Sequence, residues 1–399
     1  MPLPTSPPSV SDQAPGLGPD SAAEAVGSRQ DRTFDGLLDG LLDRAVAAQA
    51  SDLHLRAGAP ALVRVRGDLW ALDPEPLTSE QVEALVDECL ERPRDRAAFR
   101  DEQQCDFALD RPASGRFRGS AYRERGHAAI VLRHVASEIP SLEDLRLPAV
   151  LERFAARESG LVIVAGPTGS GKSTTLAAMV SLINAQRRCH VLTIEDPIEY
   201  VHRDLLATVS QREVGTDTPS FASALRAAMR QDPDVICVGE IRDLETLRTA
   251  LQAAETGHLV LASVHARTAS DAVNRMCDLF PEGEQRQART TIAEVLAGIA
   301  CQRLVASADG TARVPAVELM VATPRIADAI VDPEGSASIS DVIAESAHYG
   351  MRSLQDDLVR LVLSGAISEE AAERVAISIT DFRVALKRAG FRAQERRGA

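Results

Sequence analysis

Apolar positions along the first third of the chain recur in two rhythms. Leu37, Leu38, Leu41, Leu42, Ala45 and Val46 repeat at three and four, which predicts an amphipathic helix from Phe34 to near Ala50. The next stretch, 51–55, alternates. Leu62-Val63-Arg64-Val65-Arg66 then runs into Gly67-Asp68 before Leu69-Trp70-Ala71-Leu72, the pattern of a hairpin with a two-residue turn. Thr78-Ser79-Glu80-Gln81 offers a capping box ahead of Val82, Leu85, Val86, Cys89 and Leu90, so a helix follows. Further strands are expected at 105–109, 116–123 and 128–135. Ile139-Pro140-Ser141-Leu142 reads as a link, placing a boundary near 145.

Beyond that boundary short β-branched runs alternate with helical ones: strand 161–165, helix 172–186, and strands 190–194, 235–238 and 258–264. Such alternation predicts a mostly parallel sheet with helices on both faces, whose ligands lie outside the carboxyl ends of the strands. After about 270 the pattern is mainly helical, with Ile292, Val295, Leu296, Ile299 and Ala300 on one apolar helix face. A strand-like run at 314–321 interrupts it, and helices are expected near 323–332, 350–364 and 368–376. The expected organisation is a tail at 1–30, an α/β domain at 31–145, an α/β core at 146–270 and a mainly helical region at 271–399.

Composition refines this picture in three places. Six of the 21 prolines fall within the first twenty residues, so the tail is expected to be disordered. No run approaches the roughly 20 apolar residues of a membrane span, and Met1-Pro2-Leu3-Pro4 lacks a signal-peptide layout, which points to a cytoplasmic location. Six scattered cysteines form no C-x-x-C pair, so buried free thiols are expected rather than disulfides or a four-cysteine zinc site. A formal net charge of -14 argues against nucleic acid as the main partner. The basic tail of Lys387, Arg388, Arg392, Arg396 and Arg397 is a local exception, readable as a solvated helix face or a binding patch.

The strongest chemical signal is Gly166-Pro167-Thr168-Gly169-Ser170-Gly171-Lys172-Ser173-Thr174, a match to G-x-x-x-x-G-K-[ST] between a predicted strand and a predicted helix. Strand, glycine loop and helix in this order form a phosphate cradle of backbone N–H groups. Lys172 is expected to neutralise β- and γ-phosphates, and Ser173 to help hold Mg²⁺. At the carboxyl ends of the neighbouring strands stand Glu195-Asp196-Pro197-Ile198-Glu199, then Gly239-Glu240, then His265. Asp232 and Asp234 sit at the far end of their strand and are poor Mg²⁺ candidates. Glu240 is the better one, although a first-turn carboxylate paired with Arg242 would look the same. His258, near a strand start, reads more readily as a packing histidine than as a catalyst.

Taken together these blocks resemble the secretion and type IV pilus motor ATPases of the RecA-like P-loop group, most closely the PilT-like pilus retraction ATPases. The resemblance spans about residues 35–380. It rests on Ala50-Ser51-Asp52-Leu53-His54-Leu55, the Walker A block at 166–174, the aspartate-box block Thr193-Ile194-Glu195-Asp196-Pro197-Ile198-Glu199-Tyr200, an atypical Walker B at 232–243 and the histidine box Thr256-Gly257-His258-Leu259-Val260. It implies a PAS-like N-terminal domain on an ATPase core, ATP and Mg²⁺ as ligands, and a ring of copies, usually a hexamer, working with an inner-membrane pilus platform protein. It further implies Glu199 as general base, Glu240 as the acid organising Mg²⁺, His258 and His265 as γ-phosphate sensors, and Arg118 and Arg133 as arginine fingers.

Two features sort the chain within that family. The four-cysteine zinc motif usual in assembly and secretion ATPases is absent, with only Cys277 and Cys301 in the region, which favours the retraction type. The retraction signature Ala-Ile-Arg-Asn-Leu-Ile-Arg-Glu reads here Arg325-Ile326-Ala327-Asp328-Ala329-Ile330-Val331-Asp332. Both signature arginines are replaced, which keeps an accessory paralogue open beside retraction. A pilus-assembly or type II secretion ATPase and a non-hydrolysing nucleotide-gated scaffold stay open as alternatives.

Overall fold

A computed structural model describes residues 36–65, 67–135, 138–335 and 337–398, with side chains to residue 390. The tail at 1–30 and the side chains of Arg392, Arg396 and Arg397 lie outside the described residues. The chain divides into two compact units, ending at Ser137 and beginning at Glu138.

The first unit runs α1 (Leu37–Ala47), β1 (Asp52–Arg56), β2 (Leu62–Val65), β3 (Asp68–Ala71), α2 (Ser79–Cys89), α3 (Pro93–Glu102), β4 (Gln104–Arg111), β5 (Gly115–Glu124) and β6 (His127–His134). Its six strands form an antiparallel sheet in the order β3-β2-β1-β6-β5-β4. The periodicities act as expected. Leu38 and Leu42 of α1, Leu85 of α2 and Phe99 of α3 share one core with Leu53, Phe117 and Leu132 of the sheet. Thr78 and Gln81 close the capping box of α2. The hairpin turn falls one residue earlier than the sequence suggests, since Val65 already pairs with Asp68.

The second unit opens with α4 (Val150–Ala155), β7 (Gly160–Ala165), α5 (Lys172–Gln186), β8 (His190–Glu195), β9 (Thr208–Glu213), α6 (Phe221–Ala228), β10 (Val235–Val238), α7 (Leu244–Glu255), β11 (Leu259–Val264) and α8 (Ala269–Asp278). It continues through α9 (Gln285–Val295), β12 (Leu296–Ala306), β13 (Arg313–Val321), α10 (Pro324–Val331), α11 (Ile339–Glu345), α12 (Leu354–Leu363), α13 (Glu369–Glu373) and α14 (Ile379–Gly398). Seven strands form one sheet in the order β13-β12-β7-β11-β10-β8-β9, parallel except where β13 returns beside β12. Successive residues of β7 face opposite ways. Leu161, Ile163 and Ala165 enter a core with α6 to α11, whereas Val162 and Val164 enter another with α4 and α5. A third core joins Val305, Val314 and Ala316 to α12, α13 and α14.

One expectation fails here. The helix drawn through Ile292, Val295, Leu296, Ile299 and Ala300 ends at Val295, and Leu296 begins β12, hydrogen-bonded beside β7 in the middle of the sheet. The apolar run at 296–301 is buried on both faces, with Leu296, Ile299 and Cys301 in one core and Ala297 and Ala300 in the other. A short run buried on two sides carries no period that separates strand from helix. The region after 270 is mainly helical as expected, while β12 and β13 within it extend the core sheet. All six cysteines are free, and five are buried. Among the described residues no helix is long and apolar enough to cross a membrane.

Gly298 marks the close fit of β12. A Cβ there would overlap the Phe154 ring and lie 2.6 Å from the Met320 carbonyl oxygen, at a shift in the β12–β7 register. Gly298→Ala is expected to destabilise the protein by about 1–3 kcal/mol, the usual cost of overpacking. Urea unfolding checks this, and an unchanged midpoint would refute it.

Candidate functional site: a phosphate loop ringed by carboxylates

All six residues of β7 are buried, and the chain turns into α5 immediately after a loop at 166–171. Pairing of Ala165 with Val264, and of Val238 with Ala262 and Ile194, brings the carboxyl ends of four strands to one edge. Thr168, Gly169, Gly171, Lys172, Ser173 and Thr174 therefore share a cavity of about 440 Å³ with Glu195, Glu199, Glu240 and His265. A second cavity of about 650 Å³ meets it at Gly171, Thr174, Leu304 and Arg313, with Leu145, Leu147 and Pro315 among its walls.

The start of α5 is built for an anion. The neighbouring helices α6, α7 and α8 are capped by the side chains of Ser220, Asp243 and Thr268, whereas α5 follows Gly171 with no side-chain cap. Its first N–H groups thus keep their donor capacity beside the cavity, at the positive end of the helix. Gly166 holds the loop tight against β12. A Cβ there would overlap Ser170 Oγ and lie 2.6 Å from the Gln302 carbonyl oxygen, at φ +154°. Ser170 is itself buried and its hydroxyl has no hydrogen-bond partner within the protein. Its contribution to the loop is backbone.

Lys172 Nζ donates to the carbonyls of Gly166 (3.0 Å) and Pro167 (3.1 Å), which keeps the ammonium over the loop. Burial lowers its pKa, while the charges of Glu240 and Glu199 pull it back up. Glu240 accepts from Arg242 Nε at 2.7 Å and lies 2.9 Å from His265 Nε2. Glu240 is thus paired with Arg242 and also lines the cavity. Glu199 is exposed at the cavity rim. Thr174 Oγ1 and Tyr200 Oη lie 3.0 Å apart, linking α5 to the segment that carries Glu199.

His258 is placed differently from the expectation. It precedes β11, whose far end meets the phosphate loop, and a strand of six residues spans about 20 Å. Its Nδ1 lies 3.0 Å from the Ala253 carbonyl, and it stands at the end of β11 away from this chain's own phosphate loop. His265 alone of the two histidines reaches the cavity. Asp234 is likewise remote, accepting from His190 N at 2.8 Å. In the first unit Arg118 and Arg133 face each other in register on β5 and β6, and Arg133 Nε donates to Asp52 at 2.8 Å.

The sequence names Glu195 at the end of its strand without a role of its own, and it does not flag His202 or Gln211. Burial raises the pKa of Glu195, against the hydrogen bonds from Thr193 and Gln211 that favour its charged form. His202 lines the cavity with a buried, unpartnered Nδ1, and burial pushes its pKa down to about 4. Gln211, on the edge strand β9, reaches the segment after β8. No motif flags His202 or Gln211, since their places come from burial and from strand pairing.

Two expected outcomes follow from this geometry. Gly166→Ala should weaken ATP binding at least tenfold by calorimetry, because the loop must open to admit the methyl group, and unaltered affinity would refute the cradle. His202 stays neutral in the folded protein below its ordinary pKa of 6.5, where the unfolded chain takes up a proton. Stability should therefore fall as the pH drops from 6.5 towards 4, and His202→Asn should flatten that part of the profile in urea titrations.

Comparison with known proteins agrees with this architecture. Residues 29–370 match the family described as Type II/IV secretion system protein. The chain is 42% identical over 327 residues to the type IV pilus retraction ATPase PilT of Pseudomonas aeruginosa, covering 82% of this chain and 94% of that protein. It is 39% identical over 347 residues to the type IV pilus ATPase PilU of the same organism, covering 87% and 90%. A crystal structure of the pilus retraction motor PilT with bound ADP superposes with a TM-score of 0.80 at 39% identity, over 86% of this chain and 98% of the other. With a matching domain over most of its length and a P-loop sheet of the same architecture, the chain belongs to the type II/IV secretion system protein family.

Proposed function

We propose that this chain is an ATPase that drives type IV pilus retraction. The observation that carries the reading is the uncapped start of α5, with Lys172 above it and Glu199, Glu240 and His265 around it. The loop N–H groups and Lys172 hold the β- and γ-phosphates. Glu199 accepts the proton of a water whose oxygen attacks the γ-phosphorus as the bond to the departing ADP oxygen breaks. The larger neighbouring cavity, with its aliphatic walls, has the size and character for the base and sugar.

Among the described residues no cluster of three or more His, Cys, Asp or Glu could hold a metal ion alone. That suits Mg²⁺, which leans on phosphate oxygens and one or two protein ligands, here Ser173 and Glu240. When bound it would neutralise phosphate charge. In this reading Arg118 and Arg133 stabilise charge on the transferring phosphoryl, a role worth about 10³–10⁵-fold in other phosphoryl-transfer enzymes. Copies of the chain work as a hexameric ring in the cytoplasm, converting hydrolysis into domain motion against an inner-membrane platform protein.

An accessory motor role is the second reading. Ala327 and Val331, where the retraction signature carries arginine, favour it. Deleting the gene separates the readings: accumulation of surface pili means retraction, loss of pili means assembly, and an effect seen only in a weakened motor background means an accessory role. For the chemistry, Glu199→Gln should bind ATP with near-native affinity and lose turnover by about 10²–10⁴-fold. His265→Ala should also slow turnover, whereas His258→Ala should act on stability alone. Near-normal hydrolysis by Glu199→Gln would reject the base assignment.

A further inference from the structure

Glu199 stands on an irregular segment between β8 and the edge strand β9. A general base in such a place needs an external frame, because displacement by ~1 Å costs about 10²-fold in rate. Side chains of β9 supply one. Gln211 Nε2 donates to Glu195 Oε1 at 3.0 Å and to the Tyr200 carbonyl at 2.8 Å, and its Oε1 accepts from His202 N at 2.8 Å. Two residues along the same strand, the buried Glu213 accepts from Ile198 N at 3.2 Å and from Thr216 Oγ1 at 3.1 Å. The backbone is thus gripped at 198, 200 and 202, on both sides of Glu199.

The frame extends inward as well. Thr193 Oγ1 donates to Glu195 Oε1 at 2.7 Å, so the carboxylate that receives Gln211 is itself fixed at the end of β8. Tyr200, whose carbonyl Gln211 holds, meets Thr174 of the phosphate-loop helix through its hydroxyl. One amide side chain therefore couples the end of β8, the segment carrying Glu199 and the start of α5. Gln211 is partly exposed, and its three side-chain hydrogen bonds all go to the stretch from Glu195 to His202.

We infer that Gln211 is a positioning residue for ATP hydrolysis, holding Glu199 in register with the phosphate loop while Glu213 anchors the same segment. The inference rests on the reading of Glu199 as the base. Gln211→Ala leaves the phosphate loop and its lysine intact, so nucleotide affinity should stay within about twofold while kcat falls on the order of 10- to 10²-fold. Gln211→Glu keeps the acceptor for His202 N and loses both donors at neutral pH, and it should fall with the alanine variant, providing a second substitution if the first folds poorly.

The deciding measurement is a double-mutant cycle on the full chain, with kcat, KM, ATP affinity and thermal midpoint recorded for Gln211→Ala, Glu199→Gln and the pair. If Gln211 acts through Glu199, the double variant hydrolyses ATP no more slowly than Glu199→Gln alone. Full additivity of the two losses overturns the inference, as does a Gln211→Ala enzyme with native kcat, or one whose loss lies in ATP affinity. Near-native hydrolysis by Glu199→Gln alone is a different result: it removes the base assignment, and the positioning role falls with it.

Discussion

The structure depends on the junction between β7 and α5. Burying every residue of β7 on both sides leaves the chain one short loop in which to reverse into a helix. The loop's N–H groups remain available to anions because, among the described residues, no side chain caps α5. The sheet order follows from the same constraint: β11 and β12 flank β7 in parallel, so the chain ends that carry polar residues emerge on the phosphate side. Were β11 antiparallel, His265 would emerge at the opposite end of the sheet, where His258 and Asp234 lie.

Around that junction, groups of opposite charge face one another across the cavity. Lys172 feels both Glu199 and Glu240, which offsets the desolvation cost of holding an ammonium in a partly buried place. Glu240 is held between Arg242 and His265. Elsewhere the same logic secures the added strands. Buried Asp357 accepts from Val317 N on β13 and pairs with Arg352 and Arg360, tying α12 to the edge of the sheet. Buried Glu318 accepts from Ala269 N at the start of α8 and also bonds the backbone of Leu354, so two helix starts share one carboxylate whose pKa burial raises. These buried acids belong to the scaffold, and no motif distinguishes them from the acids of the site.

Local signals survived folding where they did not need a distant partner. The capping box at Thr78 and Gln81, the helix beginning at Lys172 and the strand at Val235–Val238 all form where propensity and pattern place them. Readings failed where the deciding contact lay far along the chain. Leu296 to Ala300 became a strand because β7, more than a hundred residues earlier, offered it an edge. His258 and His265 stand seven positions apart in one motif-like block, and the length of β11 between them sends them to opposite ends of the sheet.

By itself, then, the sequence determined the alternating α/β plan, the phosphate loop and the acids at the strand ends, because each follows from short-range period or from residue types at fixed spacing. The tertiary structure decided which of those polar residues meet. Strand direction and register selected Glu240 and His265 over Asp234 and His258, and brought Gln211 and Glu213 from an edge strand to the segment that carries Glu199. The physical reason is that pairing in a sheet is set by non-local hydrogen bonds and two-sided burial, which no window of sequence contains.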